Sequence, residues 1–153
     1  MKSFLFFLLF IGEVFMSVAQ QPVITKVAKF KPPLVKTWLG IRSNGDSVTT
    51  AEAAQLIGLP MQITDAKKNT YAVSSYGFLY KRKSVITDEQ TGRKSITFTT
   101  VADKFKSTPL PEVWINNLKD GFQKDEELYF FDVVAKDNMN RIFFAPDLKI
   151  IIQ

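Results

Sequence analysis

"RIFFAPDLKIIIQ", residues 141–153, is an apolar segment with a proline at its middle. Ile142, Phe144, Leu148, Ile150 and Ile152 share one parity, and Arg141, Asp147 and Lys149 share the other. Side chains alternate across a strand, so this pattern predicts a closing β-strand with one buried and one wet face. Pro146 has no amide hydrogen for a central ladder, which places it at a bulge or edge and predicts a broken or exchanged pairing near Ala145. The preceding "ELYFFDVVA" reads as a partner strand, with "KDNMN" as the turn between them.

Working back from that pair, strands recur at short intervals. "LVKTWLGI" offers a first strand, followed by Asn-Gly and Asp-Ser turn chemistry in "RSNGDS". "TTAEAAQLIGLP" predicts a two-turn helix capped by Thr49 or Thr50 and ended by Gly58 and Pro60, with Ala53, Leu56 and Ile57 on its packing face. After "MQIT" comes a longer strand in which Tyr76, Phe78 and Tyr80 share a face. The polar "TDEQTGR" is a hairpin tip returning through "SITFTTV"; pairing Thr87 with Arg93 would set Tyr80 opposite Thr100, Arg82 opposite Phe98 and Ser84 opposite Ile96. "STPLPEVWINNLKDG" predicts a second brief helix with Val113, Trp114 and Leu118 as its apolar stripe. The expected architecture is mainly β: a single antiparallel β-sandwich, residues 34–153, with two short helical connections.

The N-terminal 21 residues combine one early lysine, an apolar run from Phe4 to Ile11 and a small-residue site ending at Ala19. They read as a secretory signal peptide, residues 1–19, cleaved near Ala19. The run is too short to be a transmembrane anchor and is interrupted by Glu13. Residues 20–33, with alternating lysines and a Pro-Pro stop, read as an extended arm. The predicted compartment is therefore periplasmic or secreted. About 130 residues remain, enough for one domain.

The chain contains no cysteine and no histidine. Disulfides are impossible, and so are thiol catalysis, histidine-dependent serine triads and ordinary zinc sites. No cofactor or metal is expected. Asp137, Asn138 and Asn140 crowd one turn but lack the glycine and distal acid of a calcium loop, so they read as a polar turn. Glu126 and Glu127 read as a solubilising turn before their strand. Asp132, inside an apolar strand, is the candidate acid for a glycan-hydrolysing or glycan-binding domain, with Trp38 or Trp114 as aromatic platforms.

The formal net charge is +5. Lys81, Arg82 and Lys83 face Arg93 and Lys94 across the predicted hairpin, forming a candidate partner-binding patch beside Tyr80 and Phe98. Export makes nucleic acid an unsuitable partner, and an acidic envelope protein or an anionic surface fits better. The sequence is also compatible with a homo-oligomer.

Spaced landmarks from Pro33 onward resemble the C-terminal domain of GldM, a gliding-motility protein of the type IX secretion motor. They are Leu39-Gly40, "VSSYGF" at residues 73–78, Tyr129-Phe130, Asp137, Arg141 and Pro146. The resemblance implies an immunoglobulin-like β-sandwich that acts through contacts with envelope proteins and not by catalysis. Unlike that family, this chain has a cleavable signal in place of an anchor, no preceding rod domains, and Asn138 and Asn140 where the family turn has glycine. "LKIIIQ" also resembles the ends of type IX cargo, which would make it a sorting strand. The leading expectation is an exported, non-enzymatic protein-interaction module.

Overall fold

The computed structural model describes residues 29–153, so the predicted signal peptide and residues 20–28 of the predicted arm lie outside the described residues. The elements run β1 (Val35–Leu39), β2 (Asp46–Val48), α1 (Thr50–Leu56), β3 (Met61–Asp65), β4 (Thr70–Thr87), β5 (Lys94–Phe105), α2 (Glu112–Leu118), β6 (Glu127–Lys136), β7 (Ile142–Phe144) and β8 (Leu148–Ile152). The fold is mainly β, as the sequence predicts, with two short helices. Its strands form one sheet in the order β1-β3-β4-β6-β8-β2, curled into a half-barrel, with β5 on β4 and β7 on β6. All pairings between strands are antiparallel except β2 with β8, which is parallel. No helix among the described residues is long and apolar enough to cross a membrane.

Period-two alternation builds the inner face. Phe78, Phe130 and Leu148 form one cross-strand row, Tyr80, Leu128 and Ile150 the next, and Val48 meets Ile152 at the far edge. All of these side chains are buried. The predicted sorting strand is thus an interior strand of this core, held between β6 and β2. Helix α1 begins as predicted: Thr49 Oγ1 accepts from the Glu52 amide at 3.2 Å, and Ala53, Leu56 and Ile57 are buried. Helix α2 departs from its predicted stripe. Leu118 is buried and Trp114 packs edge-on against Phe78 and Phe105, but Val113 is exposed. Thr108 does not cap that helix; its hydroxyl accepts from the Met61 amide at 2.7 Å, tying the approach of α2 to β3.

A line of irregularities crosses the sheet. The β4–β6 register shifts between residues 73 and 77, Asp132 takes φ 50 opposite that region, and the last strand breaks between β7 and β8 at residues 145–147. Inward parity inverts there: Leu128 and Phe130 are buried on one side, Val133 and Ala135 on the other. The break near Ala145 is where Pro146 predicts it, but its effect on parity corrects the sequence reading. Ile142 and Phe144 point to solvent while Phe143 and Ala145 are buried, because β7 follows the shifted half of β6. An extra bulge residue moves every later side chain to the opposite face.

Gly77 lies opposite Phe131, whose ring covers it and stacks on Tyr129 with centroids 5.6 Å apart. A Cβ at position 77 would fall inside van der Waals contact of that ring. Gly77→Ala is expected to destabilise the fold by about 1–3 kcal/mol through overpacking, measured as a lower urea midpoint. Phe131→Leu should relieve much of that loss in the double variant.

Candidate functional site

The longest strands make the most exposed feature. β6 reaches only as far as Lys81 along β4, at Glu127, yet β4 continues paired with β5 through Thr87 and Lys94. Residues 82–87 and 94–99 therefore form an overhanging two-stranded arm of about 20 Å, at 3.4 Å per residue. Asp88 turns its tip. Its carboxylate accepts from the amides of Gln90 and Thr91, and Gly92, at φ 65, donates to its carbonyl. The loop spans four residues between Asp88 and Arg93, so Thr87 pairs with Lys94 and not with Arg93. The predicted hairpin register is one residue out. Tyr80 pairs with Val101, Arg82 with Thr99 and Ser84 with Thr97.

The root of the arm is a buried carboxylate. Glu126, predicted as part of a solubilising turn, is 0 % exposed. It accepts from Tyr80 Oη at 2.5 Å, from the Lys83 amide at 2.9 Å and from the Gln123 amide at 2.8 Å. Burial, then the bond to Glu126, pushes the Tyr80 phenol well above its ordinary range. Around it, Lys83 Nζ pairs with Asp125 at 2.8 Å, while Glu127 takes both Lys81 and Lys149 at 2.8 Å. Hydrogen bonds from Lys149 and then Lys81 hold the Glu127 carboxyl below the usual glutamate range.

The predicted basic patch is dispersed. Lys81 and Lys83 lie on the outer face in ion pairs at the root, with Lys81 Nζ also 4.7 Å above the Phe98 ring. Arg82 lies on the inner side, lining a cleft of about 290 Å³ with Tyr80, Val101, Trp114 and Asn117. Arg93 and Lys94 are exposed at the tip, so they do not face Lys81–Lys83, whose partners are Thr100, Thr99 and Phe98. Apolar side chains occupy the space between. Val85 and Ile96 are opposite one another on the outer face, 56 % and 62 % exposed, beside Phe98 at 41 %; Ile86 is exposed on the other side.

The residues of the glycan reading are scattered. Asp132 is exposed at its bulge, in a groove with Lys104, Lys106 and Phe144 and no other acid. Trp38 lines a separate groove, where its Nε1 donates to Thr64 Oγ1, and Trp114 lines the cleft beside Arg82. The Asp137 turn is a local structure: its carboxylate accepts from the amides of Met139 and Arg141 and pairs with Arg141 Nε at 2.8 Å, and Asn140 supplies the residue at φ 61. Among the described residues no cluster of acids is suited to hold a metal.

Removing the root should release the arm. Glu126→Gln replaces one accepting oxygen by an NH2 group, which must face either the Lys83 amide or the Tyr80 and Gln123 donors; it is expected to cost about 1–3 kcal/mol, and Tyr80→Phe about 1–3 kcal/mol. A double-mutant cycle by chemical denaturation should show strong coupling. Because the folded Glu127 carboxyl titrates below its unfolded value of about 4.3, its contribution is complete above that pH and vanishes as the pH falls through the folded value. The difference in unfolding midpoint between wild type and Glu127→Gln should close accordingly. Comparison with known proteins finds no matching family model and no matching curated protein.

Proposed function

We propose that this chain is a non-enzymatic interaction module of the bacterial envelope and that the β4–β5 arm is its contact with a protein partner. The observation that carries this reading is the arm's outer surface: Val85, Ile96 and Phe98 stand exposed on strands that extend past the rest of the sheet, with Arg93 and Lys94 at the tip. Contiguous exposed apolar side chains rimmed by charge are characteristic of interaction sites. Burying each half-exposed side chain contributes roughly 1 kcal/mol, and the tip cations favour an acidic partner and speed its approach.

Export follows from the signal-like residues 1–19, and an envelope setting from the resemblance to the GldM C-terminal domain. Action through contacts suits a chain that lacks histidine and cysteine and whose remaining candidate acid stands alone. Lys81 and Lys83 serve this function indirectly, since their ion pairs hold the root. Arg93 and Lys94 are the cations free to meet a partner's carboxylates.

The test compares capture of envelope proteins by the wild type and by two variants, with circular dichroism confirming that each is folded. Val85→Thr combined with Ile96→Thr should weaken partner binding about tenfold or more, equivalent to 1.4 kcal/mol. Arg93→Glu combined with Lys94→Glu should slow association and reduce its salt dependence. Undiminished capture by both variants rejects the arm as the contact.

A further inference from the structure

We infer that the free edge of β5 pairs with the β5 edge of a second copy of this chain, about a two-fold axis through Phe98. This goes beyond the partner contact above, because it uses the backbone edge of the arm together with Arg93 and leaves the outer face, with Val85, Ile96 and Lys94, open to that partner. β5 pairs with β4 alone among the described strands.

The backbone shows which groups lie on that edge. The Asp88 amide donates to the Arg93 carbonyl at 2.8 Å, which marks 88/93 as a hydrogen-bonded pair. Antiparallel ladders alternate, so Ile86/Ser95, Ser84/Thr97 and Arg82/Thr99 are bonded pairs, whereas Val85/Ile96, Lys83/Phe98 and Lys81/Thr100 are not. Two contacts agree with this phase. The Lys83 amide turns away from β5 to Glu126, and the Lys104 amide turns away from β4 to the Asp103 carboxylate at 2.7 Å. The amides and carbonyls of Ile96, Phe98, Thr100 and Ala102 consequently face outward from the free edge.

That edge carries none of the usual protection. Residues 95–102, "SITFTTVA", hold no charge, proline or glycine, and threonine, isoleucine, phenylalanine and valine favour extended pairing. Charge enters only at the ends, with Arg93 and Lys94 at one and Asp103 and Lys104 at the other. A two-fold normal to the sheet pairs residues that point to the same face, so it must be centred on a residue position. Centred on Phe98, it sets Arg93 opposite Asp103, Lys94 opposite Ala102, Ile96 opposite Thr100 and Thr97 opposite Thr99. Centred on Thr99, it would oppose Lys94 and Lys104, and like charges directly across a ladder repel. Charge complementarity therefore selects Phe98, with both Phe98 rings on the outer face. The occupant that supplies this arrangement is another β5.

The absence of native cysteine makes a single introduced thiol an unambiguous probe. In this register the two Phe98 Cα atoms are about 5.5 Å apart, within disulfide range, whereas the two Ser95 positions are separated by roughly 20 Å. Sedimentation of the full chain should show a concentration-dependent doubling of mass. Phe98→Cys should give a covalent dimer under mild oxidation and Ser95→Cys should not. Thr100→Pro, which removes an outward amide without touching the β4 ladder, should abolish the dimer. A chain that stays monomeric at every concentration, equal cross-linking at 98 and 95, or a dimer that persists in Thr100→Pro would each overturn the inference. A monomer that still captures a partner through Val85 and Ile96 would overturn the pairing alone, and a dimer indifferent to those residues in capture would overturn the partner contact alone.

Discussion

The arm depends on one buried carboxylate. An isolated two-stranded hairpin is marginal in water, so an overhang of this length must be fixed where its third strand ends. At that point the chain entering β6 turns away, with Asp125 at φ 75, and the Glu126 side chain takes the Lys83 amide that a further residue of β6 would have bonded. The carboxylate thus continues the ladder by one step. Its other oxygen holds Tyr80 and Gln123, while the Glu126 carbonyl accepts from Ile152 and the Asp125 amide donates to the Ile152 carbonyl. One residue joins the hairpin, the segment after α2 and the C-terminal strand. A buried carboxylate is expensive unless its lone pairs are satisfied; three donors satisfy these, and no buried side-chain polar atom among the described residues lacks a partner.

The line of bulges explains how a chain with one long strand makes a closed core. β4 is too long to remain flat against one layer, and its register shift coincides with the left-handed Asp132 in β6 and the Pro146 break. Bending at one place in all three neighbours keeps them paired while the sheet curls. The inversion of parity then buries Phe143 against Tyr71, ring centroids 5.4 Å apart, and leaves Phe144 in solvent.

Much of this was legible in the sequence, and the failures have definite causes. The strands, both helices, the Thr49 cap and the Tyr76-Phe78-Tyr80 face follow from alternation and capping, which are local signals. β2 leaves no trace in the sequence pattern, because three residues paired in parallel with β8 carry no periodicity of their own. Ile142 and Phe144 fall on the inner parity only if alternation runs straight through Pro146, and that proline breaks the strand. The hairpin register slipped by one because Asp88 and Gly92 close a four-residue loop, a detail of turn geometry. Glu126 was masked by its acidic neighbours Asp125 and Glu127, yet it has the parity of Leu128 and Phe130, and counting back by two from that buried pair would have turned it inward.

The five basic residues do not gather into one patch, for the same reason that the arm stands out. Lys81 and Lys83 carry the composition of a binding site, but their charges are spent on Glu127 and Asp125 at the root. The surface that remains is apolar along the strands and charged only at the ends. Such an edge would be an aggregation hazard if every pairing were equally favourable. Parallel stacking, however, would set Arg93 and Lys94 against their own copies, whereas the antiparallel register centred on Phe98 sets Arg93 against Asp103. End charges on an otherwise neutral strand thus penalise the parallel pairing and favour the antiparallel one, and because β4 occupies the other edge of β5 the assembly closes at two copies.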